Sequence, residues 1–368
     1  MSYPRHPPLM GSLACAVGSS SCSRRPMTSS TLVPLRCTAS SNTGVGNAVV
    51  VRQLQIEVPS PFRLDLTVWA LRRRPHNAVD WWDGSGYRRT LVVYERPVEV
   101  SVRQLQEPVS PVLGVELRGS SGALGDDGVA EARRVLERTL GLGVDLGGFY
   151  RLAERDEPLR MLVRRFRGVR PPCFPSVFEA VVNAIACQQL SLVVGIHLLN
   201  RLAERFGPTT SGRRGSPPGF PTPERLAGAD PELLRELGFS GAKARAIRTL
   251  ADQVAVGELD LEALRNEPDH RALGILLELT GVGRWSAEYT LLRGLGRHHV
   301  LPGDDVGARN NLRRRFGLSS SAGYDEVAEL ARAWWPYGGL VYFHLLLDAL
   351  AAAGHVTPAQ PRLRARRR

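Results

Sequence analysis

The chain has 368 residues, of which 43% are hydrophobic and 23% charged, an ordinary balance for a globular protein with room for two or three domains. No apolar run approaches the roughly 18–20 residues of a membrane-spanning helix, so the sequence predicts no contact with a membrane. The net charge of +12 suggests nucleic acid, yet ten of these charges lie in residues 1–56 and 362–368. A nucleic-acid hypothesis must therefore depend on local features of the nearly neutral body.

The cysteines and the single lysine restrict the chemistry further. The five cysteines, at 15, 22, 37, 173 and 187, form no CxxC pair. A disulfide framework, a structural zinc site and a four-cysteine iron–sulfur cluster are therefore poorly supported, and we expect no metal. Lys243 is the only lysine, so a catalytic lysine amine has one candidate in the whole chain.

Residues 1–45 form an N-terminal extension that is rich in Ser, Pro, Gly and Arg and contains no acidic residue. Disorder, an organelle transit peptide and a start codon placed too far upstream, with Met27 as the alternative, all stay open. We expect a cytoplasmic or nucleoid protein in a bacterium, and a nuclear or organellar one in a eukaryote. Residues 358–368 are predicted to be a basic tail that adds salt-sensitive affinity for nucleic acid.

Residues 46–165 are predicted to form an α+β domain with an antiparallel sheet, because runs of strands precede the helices. Alternating apolar residues predict strands at 62–69 and 98–102, and "YRRTLVVYERP" (87–97) and "VLGVELRG" (112–119) are predicted as further strands. "DDGVAEARRVLERTLG" (126–141) is predicted to be an amphipathic helix that ends at Gly141.

Residues 166–357 are predicted to form an all-α domain. The segment 176–207 has the pattern of one long apolar helix, with Ser176 as its N-cap and Gly207 as its stop. Shorter helices are predicted at 223–228, 231–237, 241–255, 271–279, 284–295, 305–316, 324–334 and 339–353. The Gly and Pro residues between them favour a compact helical domain over a coiled coil.

Two stretches in this domain point to chemistry. "LLELTGVGRWSAEYTLL" (276–292) predicts a helix, a tight glycine turn and a second helix, whose amides face outward as an anion site. A plain αα-hairpin turn is the alternative. About twenty residues later, "LPGDDVGARNNLRRRFG" (301–317) places Asp304 and Asp305 ahead of four arginines. One Asp is expected to cap the helix, which leaves the second to be explained.

Together these stretches resemble the helix–hairpin–helix DNA glycosylases with a Gly/Pro-rich loop and a catalytic Asp, and most of all the AlkA-like, 3-methyladenine DNA glycosylase II type. Three further segments agree in order: "FEAVVNAIACQQLS" (178–191), "LRELGFSGAKARAIRTLA" (234–251) and "WWPYGGLVYFHLLL" (334–347). The resemblance covers about 170–353. It implies that residues 46–165 form a TBP-like domain, and that the protein is a monomer acting on double-stranded DNA with damaged bases. It implies no cofactor beyond a monovalent cation at the hairpin.

The resemblance assigns the catalytic role to Asp305, with Asp304 as a cap or as a residue that supports it. A carboxylate beside C1′ stabilises the positive charge that the sugar develops when the base leaves. The base must first leave the stack, and aromatic faces favour a cationic alkylated base. The implied pocket aromatics are Trp285, Tyr289 and Tyr337, and the implied DNA-binding residues are Gly281, Val282, Gly283, Arg284, Arg309, Gln188 and Gln189. The apolar wedge of the family falls at Gln189, beside Leu190, and either residue is a candidate for it.

Bifunctional glycosylases carry a lysine two residues after the second hairpin glycine, and Trp285 occupies that position here. The expected enzyme is therefore a monofunctional DNA N-glycosylase of base-excision repair that excises alkylated bases of the 3-methyladenine and 7-methylguanine type and leaves an abasic site. An oxidised-purine glycosylase and a non-catalytic helix–hairpin–helix DNA-binding protein are the alternatives. Trp334 and Trp335 are predicted to be core residues, and His197 and His344 to be core histidines rather than ligands.

Overall fold

A computed structural model of the protein describes residues 37–38, 49–105, 111–210 and 215–358. The predictions for the N-terminal extension before residue 37 and for the basic tail after residue 358 lie outside these residues. Within them the fold is α+β, with an antiparallel sheet followed by many helices, as the sequence predicted. No helix in these ranges is long and apolar enough to cross a membrane.

In the described part of the chain the sheet has six antiparallel strands in the order β1-β2-β6-β5-β4-β3. The strands are β1 Cys37–Thr38, β2 Val49–Glu57, β3 Trp81–Trp82, β4 Gly86–Val93, β5 Arg96–Gln104 and β6 Val112–Ser120. The single strand predicted at 87–97 was wrong, because the chain turns at Tyr94 and Glu95 and pairs β4 with β5. Neither turn residue is Gly, Asn or Asp, so the usual hairpin signal is absent.

The first helix, α1 (Leu64–Arg72), lies where the alternation of apolar residues predicted a strand, and that prediction was wrong. Leu64, Val68 and Leu71 pack into the core beneath the sheet, whereas Leu66 and Ala70 pack among C-terminal helices. Because both sides of α1 are covered, its apolar residues do not form the single stripe that distinguishes a helix from a strand.

Thirteen further helices follow α1 in the described part of the chain. They are α2 Asp126–Thr139, α3 Gly147–Ala153, α4 Glu157–Arg165, α5 Val177–Cys187, α6 Leu192–Phe206, α7 Pro223–Leu226, α8 Pro231–Glu236, α9 Gly241–Ala255, α10 Asp269–Glu278, α11 Arg284–Arg293, α12 Val306–Phe316, α13 Tyr324–Arg332 and α14 Gly338–Ala352, with a 3-10 turn at Glu262–Asn266. Each helix predicted after residue 220 is confirmed, and its observed ends lie within two residues of the predicted ends.

The long helix predicted at 176–207 is instead two helices. As predicted, Ser176 caps α5 and Gly207 ends α6, but the helical structure is interrupted at Gln188–Ser191. Gln189 adopts a φ of 53°, in the left-handed region, and the Ser191 side chain caps α6 by accepting a hydrogen bond from the amide of Val194. No Gly or Pro marks the break, so the apolar pattern runs across it.

The sheet and the helices share their cores. Ala180 and Ala184 of α5 and Tyr289 of α11 belong to the apolar cluster beneath the sheet. The boundary at 165/166 stays a prediction.

Two of the minor predictions are confirmed, since Trp334 and His344 are buried. Two were wrong: Trp335 is 65% exposed, and His197 is exposed and stacks on His76.

A buried ionic cluster ties the sheet to α5. Arg89 of β4 donates to Asp80 at 2.6 Å and to Glu179 of α5, and Tyr87 donates to Asp80 at 2.9 Å. All of these side chains are almost fully buried. Burial raises the pKa of Glu179 to about 7 despite the neighbouring guanidinium. The cluster therefore depends on Arg89 as the cation that pairs with both buried carboxylates.

We predict that Arg89→Met lowers the free energy of unfolding by roughly 3–5 kcal/mol, because Asp80 and Glu179 then remain buried without their cation. Urea unfolding at neutral pH measures the loss. Arg134→Met is the matched control, since it removes only a surface pair with Glu131 and should cost about 1 kcal/mol or less. Equal losses in the two variants would contradict the structural role given to the cluster.

Candidate functional site

A cleft of about 1150 Å³ lies where four segments meet. They are the end of α1, the break between α5 and α6, the hairpin before α11 and the loop before α12, and α14 closes one side. The cleft brings together residues from 73 to 349, so the site depends on the tertiary fold and not on one local stretch. Of the thirteen residues predicted as site residues or wedge, all but Val282, Arg309 and Tyr337 line it.

The carboxylate of Asp305 is held by three donors. Oδ1 accepts from the backbone amide of Ala308 at 2.8 Å, which makes Asp305 the N-cap of α12. Oδ2 accepts from the indole Nε1 of Trp285 and from the hydroxyl of Tyr342, each at 3.2 Å. Burial and the nearby carboxylate raise the pKa of Tyr342 well above its ordinary value, so its hydroxyl remains a donor at neutral pH. The carboxylate is thus half-buried, oriented and open to the cleft.

Asp304 does not cap the helix, contrary to one of its two expected roles. Its carboxylate forms ion pairs with Arg284 at 2.8 Å and with Arg309 at 3.2 Å. The guanidinium of Arg284 also lies 3.8 Å from the ring centroid of Tyr324. Ion pairs that are partly open to solvent, as these are, contribute little to stability. Asp304 therefore supports the site by holding two arginines at its edge.

The loop that carries both aspartates is anchored by a residue that the sequence analysis missed. The buried carboxylate of Glu288 in α11 accepts from the amide of Gly303 at 3.2 Å and from the hydroxyl of Tyr324 at 2.6 Å. A Cβ at Gly303 would lie 2.7 Å from the Tyr324 ring, so this close approach requires glycine. Burial raises the pKa of Glu288 above its ordinary value.

Three aromatic rings face the cleft. Trp285 and Tyr289 lie one helical turn apart, with ring centroids 5.3 Å apart, and Tyr342 of α14 is the third. Tyr337 does not line the cleft; its ring lies 5.8 Å from that of Phe149, and its hydroxyl lies against Gly148. A pocket role for Tyr337 thus stays a prediction with no contact behind it. No local feature of the sequence indicates that Tyr342 rather than Tyr337 reaches Asp305.

The hairpin at 281–283 packs against the helical core on one side and is open to the cleft on the other. Gly281 has a φ of 79°, and a Cβ there would lie 2.8 Å from that of Ala246. The side chain of Val282 is buried in the helical core. Gly283 has nothing within 4 Å of the position where a Cβ would stand, so its outer face is free for a ligand to approach. The Gln188 amide donates to the carbonyl of Gly281 at 2.8 Å and therefore supports the hairpin.

The break between α5 and α6 projects two side chains at the rim of the cleft. Gln189 and Leu190 are both exposed, as are Val193 and Val194 in the first turn of α6. The left-handed backbone of Gln189 is uncommon for a residue other than Gly, Asn or Asp and indicates a functional constraint. The choice between Gln189 and Leu190 as the wedge stays open.

The comparisons with known proteins agree with this geometry. Residues 182–337 match the model of the HhH-GPD superfamily base excision DNA repair protein family. The solved 3-methyladenine DNA-glycosylase from Archaeoglobus fulgidus is similar, with 31% sequence identity, a TM-score of 0.70 and coverage of 80% of this chain and 97% of that one. This chain belongs to the HhH-GPD superfamily.

Relatives with curated names are similar over a shorter range. DNA-3-methyladenine glycosylase of Bacillus subtilis is 30% identical over 201 residues, which are 55% of this chain and 66% of the relative. DNA-3-methyladenine glycosylase 1 of Schizosaccharomyces pombe is 30% identical over 166 residues, which are 44% of this chain and 68% of the relative. This HhH-GPD chain thus spans just under two thirds of the first relative and just over two thirds of the second.

The family range contains the hairpin and Asp305 but leaves out five residues that line the cleft, which are Arg73, Arg74, Tyr342, Leu346 and Ala349. Arg73 and Tyr342 lie outside residues 182–337, and neither was predicted from the sequence. Arg73 belongs to an uninformative run of three arginines, so no sequence signal distinguished it. Among the described residues of this HhH-GPD protein, no three His, Cys, Asp or Glu side chains are grouped to hold a metal ion.

We predict that Asp305→Ala lowers the free energy of unfolding by about 1 kcal/mol, because the amide of Ala308 loses its acceptor. Asp305→Asn should cost less, because Asn caps a helix nearly as well as Asp. Urea unfolding of both variants provides the test, and equal losses would show that the cap contributes nothing measurable. The Asn variant then serves to separate the chemistry of the carboxylate from its role in folding.

Proposed function

We propose that the protein is a monofunctional DNA glycosylase that acts as a monomer on double-stranded DNA and releases alkylated bases by hydrolysis of the N-glycosidic bond. The names of the Archaeoglobus fulgidus, Bacillus subtilis and Schizosaccharomyces pombe proteins support a 3-methyladenine type of substrate. The observation that carries the proposal is the Asp305 carboxylate, which is oriented by three donors and faces a cleft lined by aromatic rings.

The cleft is suited to a base that has been rotated out of the helix. The half-buried ring of Trp285 offers a surface for stacking, with the buried Tyr289 behind it in the cleft wall, and a cationic alkylated purine gains from their electron density. As the bond from C1′ to the base breaks, its electron pair leaves with the base and positive charge grows on the sugar. Asp305 stabilises that charge, and water then adds to C1′. A purine alkylated at N3 or N7 leaves as a neutral molecule, so no strong general acid is needed.

The rim of the cleft provides the contacts for the DNA backbone. The amides at Gly281–Gly283 and the N-terminus of α11 form an anion site with no side chain in front of Gly283. Arg284 and Arg309 pair with Asp304 and can exchange that carboxylate for a phosphate. Gln189 and Leu190 project beside them and fit the gap that a flipped base leaves.

The surroundings of Lys243 support the absence of lyase chemistry. Its ammonium donates to the carbonyls of Ala186 at 3.0 Å and Gln188 at 2.7 Å, and so closes the C-terminus of α5. A lysine that forms a Schiff base must be a free amine directed at the sugar. The position that serves this purpose in bifunctional enzymes holds Trp285, whose indole is bound to Asp305.

We predict that Asp305→Asn reduces base release from alkylated duplex DNA by roughly 100-fold or more, because the sugar cation loses its counter-charge. Asp304→Asn should retain most of the release rate, since Asp304 pairs with arginines at the edge of the site. Free bases are quantified by mass in single-turnover reactions, and binding to an abasic-site duplex serves as the control for DNA affinity. A larger loss for Asp304→Asn would reverse the assignment of the pair.

We predict that borohydride does not trap the protein on damaged DNA, and that strand breaks appear only after alkali or an added abasic-site nuclease. The physical reason is that the only lysine, Lys243, donates to two backbone carbonyls, and no other side-chain amine belongs to the part of the chain that the structure describes. The matched control is Lys243→Gln, whose trapping yield should equal the background of the unchanged protein. A covalent adduct that disappears in Lys243→Gln would contradict the monofunctional assignment.

A further inference from the structure

A second cavity lies away from the cleft, at the opposite end of α11. It has a volume of about 340 Å³ and is enclosed by the end of α2, the segment before α5, the 3-10 turn and the residues that follow α11. The hairpin adjoins the first residue of α11, whereas the cavity is lined by Leu295 and Gly296 just after its last residue. A helix of ten residues is about 15 Å long, so roughly that distance separates the two sites.

The wall of this cavity is basic. Apart from the Cys173 thiol, its titratable side chains are Arg134, Glu137, Arg138, Arg265 and His298. Burial lowers the pKa of His298 to about 4, so its imidazole is neutral at ordinary pH. Burial also raises the pKa of the Cys173 thiol, which therefore stays protonated. The permanent charges of the wall are thus three guanidiniums and one carboxylate.

Arg138 is the guanidinium of the wall that has no carboxylate partner. The other charges of the wall belong to ion pairs, which are Arg134–Glu131 at 2.6 Å, Arg265–Glu262 at 2.8 Å and Glu137–Arg133 at 2.7 Å. Among the described residues, Arg138 forms no ion pair, and its one hydrogen bond runs from Nη2 to the carbonyl of Pro175. Burial and the nearby guanidinium of Arg265 lower the pKa of Arg138, and they outweigh the opposite effect of Glu262. One positive charge of the wall therefore lacks a paired counter-ion.

The wall also contains buried nitrogen atoms that have no hydrogen-bond partner. They are Nε of Arg138, Nη2 of Arg265 and Nε2 of His298. The last of these is directed at the end of α11, since a Cβ at Gly296 would lie 3.8 Å from it. A buried donor without an acceptor costs free energy, and so does the repulsion between two neighbouring guanidiniums. An anion beside Arg138 reduces both costs.

The size and the surroundings of the cavity favour a small anion over a polymer. A volume of about 340 Å³ is at the lower end of the range for small-molecule sites. Partly exposed carboxylates pair with arginines in or beside the wall, at Glu131, Glu137 and Glu262, and they repel the closely spaced charges of a DNA backbone. A phosphate group offers several oxygens in the geometry that guanidiniums bind with paired hydrogen bonds.

We propose that this cavity is a second ligand site, which takes a small phosphate-bearing anion beside the guanidiniums of Arg138 and Arg265. The site is independent of the glycosylase function, because none of the residues that line it lines the cleft. A ligand held there joins the end of α2 to the 3-10 turn and to the end of α11.

The test uses the full-length protein with labelled histidine side chains, and pyrophosphate is the probe at neutral pH and constant ionic strength. Nuclear magnetic resonance follows the ring signal of His298, which is identified by its loss in His298→Gln. We expect pyrophosphate to shift this signal along a saturable curve, because an anion in the cavity changes the field at the ring. The signal of His355, which stacks on Trp69 outside the cavity, should stay in place.

Three variants test which charges bind the anion. Arg138→Met should weaken pyrophosphate binding by about tenfold or more, because a charge-assisted hydrogen bond is lost. Glu137→Gln removes the carboxylate of the wall and should tighten binding by about threefold. Arg235→Met, which breaks a surface pair with Glu232, is the matched control and should leave the affinity unchanged. Thermal unfolding shows whether each variant is folded, and the opposite effect of Glu137→Gln keeps the test decisive should Arg138→Met not fold.

Two results would overturn the inference. A His298 signal that does not respond to millimolar pyrophosphate, or that reports the same affinity in Arg138→Met and Glu137→Gln as in the unchanged protein, would show that the cavity does not select an anion. An undamaged duplex that shifts the His298 signal and displaces pyrophosphate would assign the cavity to the DNA backbone instead of a small anion.

Discussion

The cap that Asp305 places on α12 is the interaction on which the site depends. The same carboxylate accepts from the amide of Ala308, from the indole of Trp285 and from the hydroxyl of Tyr342. The first bond fixes where α12 begins, and the other two join that helix to α11 and α14. Because each donor restrains one direction of the carboxylate, its orientation is set before any substrate arrives. Preorganisation of this kind is what makes a single charge effective against a developing cation.

Around this carboxylate, the loop and the hairpin are fixed by contacts that do not face the substrate. Glu288 holds the amide of Gly303, and Gln188 holds the carbonyl of Gly281. Both contacts leave the outer surface of the cleft open, while the backbone beneath it cannot move freely. The break at Gln188–Ser191 has the same effect on the other side, since it ends α5 under the hairpin and projects Gln189 and Leu190 at the rim.

The contact between the sheet and the helices is both structural and electrostatic. Arg89 pairs with two buried carboxylates, Asp80 and Glu179, where β4 meets α5, and the buried guanidinium of Arg73 also acts on them electrostatically, while its own hydrogen bonds go to Tyr289 and Asn183.

The sequence by itself determined the fold class, most helices after residue 220 and the hairpin, whereas the grouping of Asp305 with aromatic residues was implied by the family resemblance. These features follow local rules of periodicity, capping and glycine placement, which a single stretch of chain contains. The tertiary structure decided that α1 is a helix, that 176–207 is broken, and that Tyr342 and Arg73 enter the cleft. Each of these depends on residues that are distant in the sequence or on tertiary packing. Helix α1 is covered on both sides, and the left-handed backbone of Gln189 is not indicated by its residue type. Tyr342 contacts Asp305, from which it is 37 residues distant in the sequence. Local pattern carries no information about such partners, because they become neighbours only when the chain has folded.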